Sequence, residues 1–376
     1  MYFLSSLLTY LLFSSIPSFV NPFAIRQDTN NDGDNTARTL IGDLKTGITT
    51  PVGQSIANIL LGTEAAQYHP NSTTTSPAPA PGTCTKSTNP CCIWYEISHS
   101  LTRDFTGPTG RCNDMARAAI RLGFHDAGTW SQALAAQGQD FGGADGSFVL
   151  FGEIERPENR GLENVTAFAK LYHMRFPVVG IADLVQYMAV HAVVTCPLGP
   201  RIRAFVGRKD ATRASPSNLL PDVSSPSSTL LALFADKTIT PHDLTALLGA
   251  HSTSRQFKTS TAPASNIGLP QDTTPGVWDV RFYNETIQPA PAKGVFRFDS
   301  DVVISRDSRC NDEWNAFVGN QSHWNEDYAA AYVRLSLLGV NNINQLTECS
   351  ATLPRARTVF QGNEAPGIFE RGSRYH

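Results

Sequence analysis

The sequence predicts a mainly α-helical domain that begins near Cys84. From that residue onward apolar side chains recur every three to four positions, Gly/Pro-rich connections separate these segments, and alternating strand patterns are sparse. The chain of 376 residues, 41% of them hydrophobic, is long enough to bury a sizeable core. The predicted helices lie near residues 91–106, 112–127, 163–173, 179–194, 228–235 and 240–252.

The last of these helices has a clear start signal. Thr240 is suited to the N-cap position, Pro241 to the first helical position, and Asp243 follows in the first turn. We therefore expect a helix that begins at this point and runs to His251.

The residues before Cys84 divide into two parts. Residues 1–24 are apolar and uncharged, which is typical of a secretory signal peptide, and Ser and Pro interrupt any run of about 18 apolar residues that would favour a signal anchor. Residues 25–83 contain polar and Pro/Thr/Ser-rich stretches, so we predict a low-complexity pro-segment or linker with one short helix between its ends. The helical domain is predicted at 84–350 and a C-terminal tail at 351–376.

Charge and cysteine content indicate the compartment and the partners. A formal net charge of −3 without a Lys/Arg cluster argues against a nucleic-acid surface or a polybasic membrane anchor, so small-molecule partners are expected. Seven cysteines fit an oxidising compartment, and the odd count leaves at least one unpaired within the chain. Four glycosylation sequons agree with a secreted glycoprotein, and they begin at Asn71, Asn164, Asn284 and Asn320.

The stretch RLGFHDAG places a cation and an imidazole on one face of a predicted helix, because Arg121 and His125 are four residues apart. An isolated histidine in such a position is more often a satisfied core residue than a functional one. Here Asp126 follows directly, and GGADGS then supplies Gly143, Asp145 and Ser147. Carboxylate, hydroxyl and carbonyl oxygens are the ligands that Ca²⁺ takes, although an Asp/Gly surface turn is the alternative.

A second histidine has a similar sequence context. Ser252 follows His251, and the stretch DTTPGVWD then offers further oxygen donors. These donors are Asp272, Thr274, the Val277 carbonyl and Asp279.

Taken in order, these motifs resemble those of the fungal secreted haem peroxidases, the class II group of the plant-type peroxidase superfamily. That family carries R-x-x-F-H-D, G-x-D-x-S, H-S at a helix end, and D-x-T-P-x-x-x-D. The matching segments are Arg121 to Asp126, Gly143 to Ser147, His251-Ser252 and Asp272 to Asp279, and further matches are PENRGL, FDSD, RDSR and EWNAFV. The resemblance covers roughly residues 84–350 and is highly specific when the motifs are taken together.

The resemblance implies a two-part helical fold with one haem b between distal and proximal halves and two Ca²⁺ sites. His251 would be the axial ligand of the haem iron, and Asp301 would accept the other ring N–H of that imidazole. The distal calcium ligands would come from Asp126, Gly143, Asp145 and Ser147, and the proximal ones from Ser252, Asp272, Thr274, Val277 and Asp279.

On the distal side the resemblance implies an acid–base site for peroxide cleavage. His125 would act first as base and then as acid, Asn159 would hydrogen-bond its other nitrogen, and Arg121 would stabilise charge on the leaving oxygen. Glu153 matches the acidic residue of that network, and Phe124 stands where intracellular members of the superfamily usually have Trp.

The resemblance also implies the disulfide pairs Cys84–Cys92, Cys91–Cys349 and Cys112–Cys196, which spacing alone could not choose. Cys310 matches a family half-cystine whose partner lies further toward the C-terminus. Because no cysteine follows Cys349, we predict that Cys310 is free, buried and inert, and that the C-terminal tail is untethered.

This chain lacks the residues that form two specialised electron-entry sites of the family. The three manganese-binding positions are Asp114, Ala118 and Phe257, and one acid of three cannot make a strong Mn²⁺ site. Ala246 stands at the position of the family's surface tryptophan. Relay roles are disfavoured for Trp130, Trp278 and Trp324, since a tryptophan is more often a packing residue.

The predicted function is therefore a secreted, extracellular haem peroxidase that reduces H₂O₂ and oxidises small phenolic or aromatic donors at the haem edge, in lignin breakdown or peroxide detoxification. We expect a monomer without nucleic-acid or membrane partners once the signal is removed. One alternative is a catalytically weak, Ca-stabilised binding or structural protein on the same scaffold. Another is a haem protein that mainly dismutates peroxide or carries a diatomic ligand, against which the Arg121–His125 pair argues.

Overall fold

The computed structural model describes residues 39–69, 89–257 and 266–360, and helices dominate these ranges as the sequence predicts. The two short strands, β1 (Phe205–Val206) and β2 (Thr347–Glu348), pair antiparallel. The α-helices are α1 (Pro51–Leu60), α2 (Cys92–Phe105), α3 (Asp114–Ala127), α4 (Gln132–Ala136), α5 (Ser147–Leu150), α6 (Glu163–Arg175), α7 (Ile181–Thr195), α8 (Ser227–Ala235), α9 (Pro241–Leu248), α10 (Arg281–Thr286), α11 (Asp299–Arg306), α12 (Asn311–Phe317) and α13 (Gln321–Leu335).

Helix α9 starts as predicted and ends earlier than predicted. Its N-terminus carries a capping box, in which the side chains of Thr240 and Asp243 each accept from the other's backbone N–H. The chain then tightens into a 3₁₀ helix, Gly249–Thr253, which carries His251. At Gly249 a Cβ would lie 2.4 Å from ring atoms of Trp324, so close packing of the chain at this point requires glycine.

Helix α7 lies in the core and supports α3. Every residue of α7 is buried, which explains why this helix is apolar on all sides. Gly123 lets α3 approach closely, because a Cβ there would lie 2.6 Å from Ala189 Cβ and 2.4 Å from the Tyr332 hydroxyl. Across the described ranges, no helix is long and apolar enough to cross a membrane.

The structure corrects the predicted linker over residues 39–69. These residues belong to the same compact unit as the helical domain, and α1 packs against α13 and the 3₁₀ helix Ile343–Gln345. Asp43 accepts from the backbone N–H of Ile343 at 2.6 Å, and Ile56 is fully buried. The polar flanks misled the prediction, because they outweigh the short amphipathic segment between them. The remainder of 25–83, the predicted signal at 1–24 and Cys84 lie outside the described residues.

We expect Ile56→Ala to lower the free energy of unfolding by about 2–4 kcal/mol, because the truncation leaves a cavity in a packed site. Urea denaturation followed by circular dichroism measures the change. Ile48→Ala is the matched control, since Ile48 is 38% exposed and should have little effect. An equally small effect at both positions would restore the linker interpretation.

The first part of the predicted C-terminal tail is bound to the core, so an untethered tail is wrong for residues 351–360. The Arg357 carbonyl accepts from Leu198 N–H at 2.9 Å. The Arg357 guanidinium donates to the Gly110 carbonyl at 2.6 Å and also to the Thr195 carbonyl. Residues 361–376 lie outside the described ranges.

The cysteine pattern agrees with the resemblance where the structure describes it. The disulfides Cys91–Cys349 and Cys112–Cys196 are present, and Cys310 is free and buried. Burial raises the pKa of the Cys310 thiol to about 11, which favours an inert thiol over a reactive one.

Candidate functional site

The distal cluster is built on the C-terminal half of α3. The Asn113 side chain caps this helix by accepting from Ala116 N–H, and the four-residue spacing then places Arg121 and His125 together. Arg121 Nε donates to His125 Nε2 at 3.0 Å. The shared face inferred from the sequence is therefore confirmed.

Asn159 determines which ring nitrogen of His125 carries the proton. Asn159 is fully buried, and its Nδ2 donates to the Glu153 carbonyl at 2.7 Å. The amide is thereby oriented so that Oδ1 faces His125 Nδ1 at 2.8 Å, where it must accept a hydrogen bond. A neutral His125 consequently has N–H at Nδ1 and a lone pair at Nε2.

The electrostatics keep His125 neutral. Burial first, and the nearby Arg121 charge second, lower the pKa of His125 well below its usual value. Desolvation by the surrounding protein atoms lowers the pKa of Arg121 to about 10, although the side chain remains accessible to solvent, so the guanidinium stays charged at neutral pH. The cluster therefore combines a buried, neutral base with a solvent-accessible cation that is fixed by hydrogen bonds.

Two backbone carbonyls fix the guanidinium. Arg121 Nη1 donates to the Arg160 carbonyl at 3.0 Å and Nη2 donates to the Glu158 carbonyl at 3.1 Å. These contacts cannot be read from the sequence, because backbone acceptors leave no side-chain signature. They belong to PENRGL, the segment that also supplies Asn159.

Glu153, which the resemblance places in this network, contributes to it through its backbone. Its backbone carbonyl, and not its carboxylate, contacts Asn159. The carboxylate accepts from the backbone N–H of Ser215 at 2.7 Å and from its hydroxyl at 2.6 Å, and it pairs with Arg156 at 3.1 Å. These contacts hold the turn that presents Asn159, so Glu153 supports the cluster through the backbone.

Phe124 packs beside the distal histidine. Its ring meets His125 edge-on, with 5.5 Å between centroids, and stacks on Phe234 at 6.1 Å. The aromatic wall supplies apolar surface next to the polar cluster.

The proximal histidine lies on the 3₁₀ helix after α9. His251 Nδ1 lies 3.1 Å from both carboxylate oxygens of Asp301, which is fully buried at the start of α11. The rings of Phe282 and Phe298 contact the imidazole edge-on. Its Nε2 has no hydrogen-bond partner in the part of the chain that the structure describes. An oriented imidazole with one available nitrogen fits an axial ligand of haem iron.

The distal calcium candidates meet around a buried pair of carboxylates. Asp126 accepts from the backbone N–H groups of Gly146, at 3.0 Å, and Phe148, at 3.3 Å. Burial and the neighbouring Asp145 raise the pKa of Asp126, and burial raises that of Asp145. Ser147 Oγ is buried without a hydrogen-bond partner among the described residues. Like-charged carboxylates beside an unpaired hydroxyl fit an oxygen-ligated divalent cation.

Gly143 of the same loop cannot be replaced without displacing the backbone. Its φ is +104°, and a Cβ there would lie 2.3 Å from the Leu338 carbonyl oxygen. Glycine at this position therefore allows the loop to pack against the chain after α13.

The proximal candidates show the same pattern. Burial and the neighbouring Asp279 raise the pKa of Asp272, and burial raises that of Asp279. Asp272 Oδ1 accepts from Thr274 N–H at 2.8 Å, whereas Asp272 Oδ2 and Ser252 Oγ are buried and unpaired within the described ranges. The Val277 N–H donates to the Thr274 carbonyl at 3.0 Å, which closes the turn. These donors also fit Ca²⁺.

The positions tested for manganese do not form an acidic site. Asp114 is exposed and pairs with Arg117, and Phe257 is 47% exposed. Ala246 is fully buried and offers no redox-active side chain.

The three tryptophans considered as relays are buried packing residues. Trp130 N–H donates to Asp140 at 2.8 Å, and Trp324 N–H donates to the Ala246 carbonyl at 2.9 Å. Trp278 stacks on Trp324 with 4.8 Å between ring centroids. These hydrogen bonds and ring contacts explain the three tryptophans as packing residues.

Comparison with known proteins gives consistent matches. The family model described as peroxidase matches residues 101–320. The chain is 32% identical over 306 residues to a peroxidase of Arthromyces ramosus, covering 77% of this chain and 82% of the relative, and a Coprinopsis cinerea peroxidase gives the same values. It is 33% identical over 316 residues to ligninase H2 of Phanerodontia chrysosporium, covering 77% and 81%.

Proposed function

This chain belongs to the fungal class II haem peroxidases, and from that membership we propose that it is a secreted enzyme that reduces H₂O₂ with electrons from small phenolic or other aromatic donors. The observation that carries the proposal is the neutral, oriented His125 beside the fixed Arg121 cation. Family membership implies haem and calcium, and we propose one haem b and two Ca²⁺ ions in a monomer. Lignin breakdown and peroxide detoxification are the proposed roles.

His251 would hold the haem iron through Nε2, with Asp301 accepting from Nδ1–H. The carboxylate would increase the basicity of the imidazole and fix its orientation. When bound, haem supplies the electrons that break the peroxide O–O bond.

The distal residues would move one proton across the peroxide. His125 Nε2 takes the proton from one peroxide oxygen and returns it to the other, which leaves as water. Peroxide would first replace the hydrogen bond that Arg121 Nε gives to this nitrogen. The guanidinium then stabilises negative charge on the leaving oxygen, and Asn159 keeps the lone pair of His125 at Nε2.

The proposed donor class follows from the residues at the specialised sites. An exposed Asp114 that pairs with Arg117 cannot bind Mn²⁺ strongly by itself, and the matching Ala118 and Phe257 supply no oxygen. Ala246 cannot carry an electron. Direct oxidation of small aromatic donors at the haem edge is then the remaining route.

Rapid mixing of the haem-loaded protein with one equivalent of H₂O₂, followed by a simple phenol, tests the proposal. We expect the Soret absorbance to fall and then to recover as the phenol is oxidised. A Soret band that does not respond to peroxide would favour the alternative of a binding or structural protein.

Asp301→Asn is expected to raise the reduction potential of the bound haem and to lower peroxidase activity about 10- to 100-fold. The reason is that the neutral amide removes the negative charge that lies next to His251 Nδ1. Spectroelectrochemical titration measures the potential. Asp299→Asn is the matched control, because Asp299 is exposed on the same helix. An unchanged potential in Asp301→Asn would remove this residue from the proximal role.

Acids at the two non-acidic positions should introduce manganese chemistry. We expect the double variant Ala118→Glu, Phe257→Asp to oxidise Mn²⁺ with saturation kinetics that the wild-type protein lacks, because a divalent cation then has three carboxylates. Formation of a Mn³⁺ chelate, followed by absorbance, measures the gain. Failure to gain any activity would show that these positions do not face a haem propionate.

A further inference from the structure

Four polar side chains that the peroxidase mechanism does not use meet where α9, α12 and α13 pack together. This four-residue cluster contains His242 of α9, Glu313 of α12, and His323 and Asp327 of α13. The side chains are 19–27% exposed, so they form a partly covered surface site. None of them belongs to the haem or calcium candidates, and the cluster does not depend on the proposed function.

Each imidazole faces both carboxylates through Nε2. His242 Nε2 lies 3.3 Å from Glu313 Oε2 and 3.6 Å from Asp327 Oδ2. His323 Nε2 lies 3.3 Å from Glu313 Oε1 and 3.0 Å from Asp327 Oδ2. Donor atoms of His242, Glu313 and Asp327 all lie within 4.8 Å of one another.

These separations match those between ligands of one small cation. Ligands at about 2.0–2.1 Å from Zn²⁺ in a tetrahedral arrangement lie about 3.3 Å from one another. The four distances between nitrogen and oxygen range from 3.0 to 3.6 Å. Donor atoms of His242, Glu313 and Asp327 could therefore bind the ion with little movement of the side chains, and His323, which contacts the other oxygen of Glu313, would turn toward them to complete the tetrahedron.

Two oxygens of the cluster lack hydrogen bonds. Glu313 Oε1 and Asp327 Oδ2 are buried and unpartnered within the described ranges, although both face His323 Nε2. Both oxygens lie close enough to His323 Nε2 for ion pairing, at 3.3 Å and 3.0 Å. Lone pairs of two carboxylates thus point into one space, where their mutual repulsion favours a cation.

We propose that the four-residue cluster binds a divalent transition metal ion of the Zn²⁺ type. Two imidazole nitrogens with two carboxylate oxygens suit zinc, whereas Ca²⁺ takes oxygen ligands only. The ion would join α9, the helix that leads to His251, to α12 and α13. Neither disulfide in the described part of the chain joins these helices, and Cys310 next to α12 is free.

The alternative is an ion-pair network without metal. Although burial opposes it, a hydrogen bond with Glu313 and the charge of Asp327 raise the pKa of His242 to about 9. The carboxylates also raise the pKa of His323, principally through Asp327. In that state His242 is protonated at neutral pH and the carboxylates favour the protonated form of His323, so a metal ion must displace protons.

Titration of ZnCl₂ into the haem-loaded, Ca²⁺-saturated full chain distinguishes the two states. We expect the wild-type protein to bind one more Zn²⁺ than His323→Gln, or to bind it at least tenfold more tightly, with the same loss in Asp327→Asn. His99→Gln is the matched control, because His99 is exposed on α2, away from the cluster, and should leave binding unchanged. Equal zinc binding in all four proteins, or none in the wild type, would overturn the proposal.

Thermal unfolding separates metal binding from folding defects. Zn²⁺ should raise the Tm of the wild type and of His99→Gln but not that of His323→Gln or Asp327→Asn, whatever their Tm without metal. In crystals soaked with Zn²⁺, the anomalous difference peak should lie about 2.0–2.2 Å from Nε2 of both histidines and from one oxygen of each carboxylate. Zinc found only at the calcium ligands would contradict the proposal.

Discussion

His125→Ala should slow the reaction of the haem-loaded protein with H₂O₂ by about 10³-fold, in the middle of the range for a positioned acid–base group. The loss is expected because alanine cannot take or return the proton, while Arg121 retains both backbone acceptors and remains in place. Haem should stay bound, since the proposed axial ligand is His251. Stopped-flow absorbance at increasing H₂O₂ gives the second-order rate constant.

The pH dependence of the wild-type reaction tests the same role with a defined sign. The base is active when neutral, and its pKa is lowered by burial and by Arg121. The neutral form therefore persists to lower pH than for an ordinary histidine, whose pKa is about 6.5. We expect the rate constant to stay flat as the pH falls from 7 to 5. A fall centred near 6.5 would mean that the site does not hold His125 neutral.

Two further measurements separate chemistry from structure in His125→Ala. Added imidazole should restore part of the peroxide reactivity, because it supplies a base to the space left by the side chain. His99→Ala on the exposed face of α2 should retain the wild-type rate. Near-normal reactivity of His125→Ala without imidazole would exclude His125 from the mechanism.

Helical periodicity alone predicts the part of the site that lies on one helix. The spacing of Arg121 and His125 predicts their contact, and the structure shows it at 3.0 Å. Asn159 is different, because a turn 34 residues later brings it to His125, and only the family resemblance identified it. The resemblance also placed Glu153 in this network, but only the structure shows that its backbone carbonyl makes the contact with Asn159, since sequence patterns do not distinguish a side chain from its backbone carbonyl.

Contacts between residues far apart in sequence explain why residues 39–69 were predicted as a linker. Arg334 of α13 is 5% exposed, and its guanidinium donates to the carbonyls of Thr39 and Leu60. A buried charge makes α13 look solvent-exposed in sequence, and the acceptors lie more than 270 residues away. The short helix expected before Cys84 is present as α1, but its packing against α13, and α13 itself, were missed because the residues that bury one another lie far apart in the sequence.

Calcium removal is expected to lower the Tm of the haem-loaded protein by about 10 °C for each of the two proposed sites. A site filled at 1,000 times its Kd contributes about 4 kcal/mol to stability, and each 1 kcal/mol shifts the Tm of a domain of 150–250 residues by about 2–4 °C. The structural reason is the burial of two like-charged pairs, Asp126 with Asp145 and Asp272 with Asp279. Differential scanning calorimetry with and without EGTA measures the shift.

Variants of the unpaired hydroxyls assign the effect to each site. Ser147→Ala should weaken the distal site and Ser252→Ala the proximal one, since each removes a buried oxygen without a hydrogen-bond partner among the described residues. Each variant should then lose calcium at a lower EGTA concentration than the wild-type protein. Ser322→Ala, in the exposed first turn of α13, is the control and should not change calcium retention.

The size of the calcium effect should depend on pH with a definite sign. Without the ion, burial raises the pKa of Asp126 and of Asp272 above that of an exposed aspartate, so folding favours their protonated forms. Their contribution to stability is then present at low pH and is lost as the pH rises through the raised values. Because bound Ca²⁺ neutralises the carboxylates, the difference in Tm between calcium-loaded and calcium-free protein should widen from pH 4 to pH 7. A difference that stays constant or narrows over this range would show that the paired carboxylates do not control calcium-dependent stability.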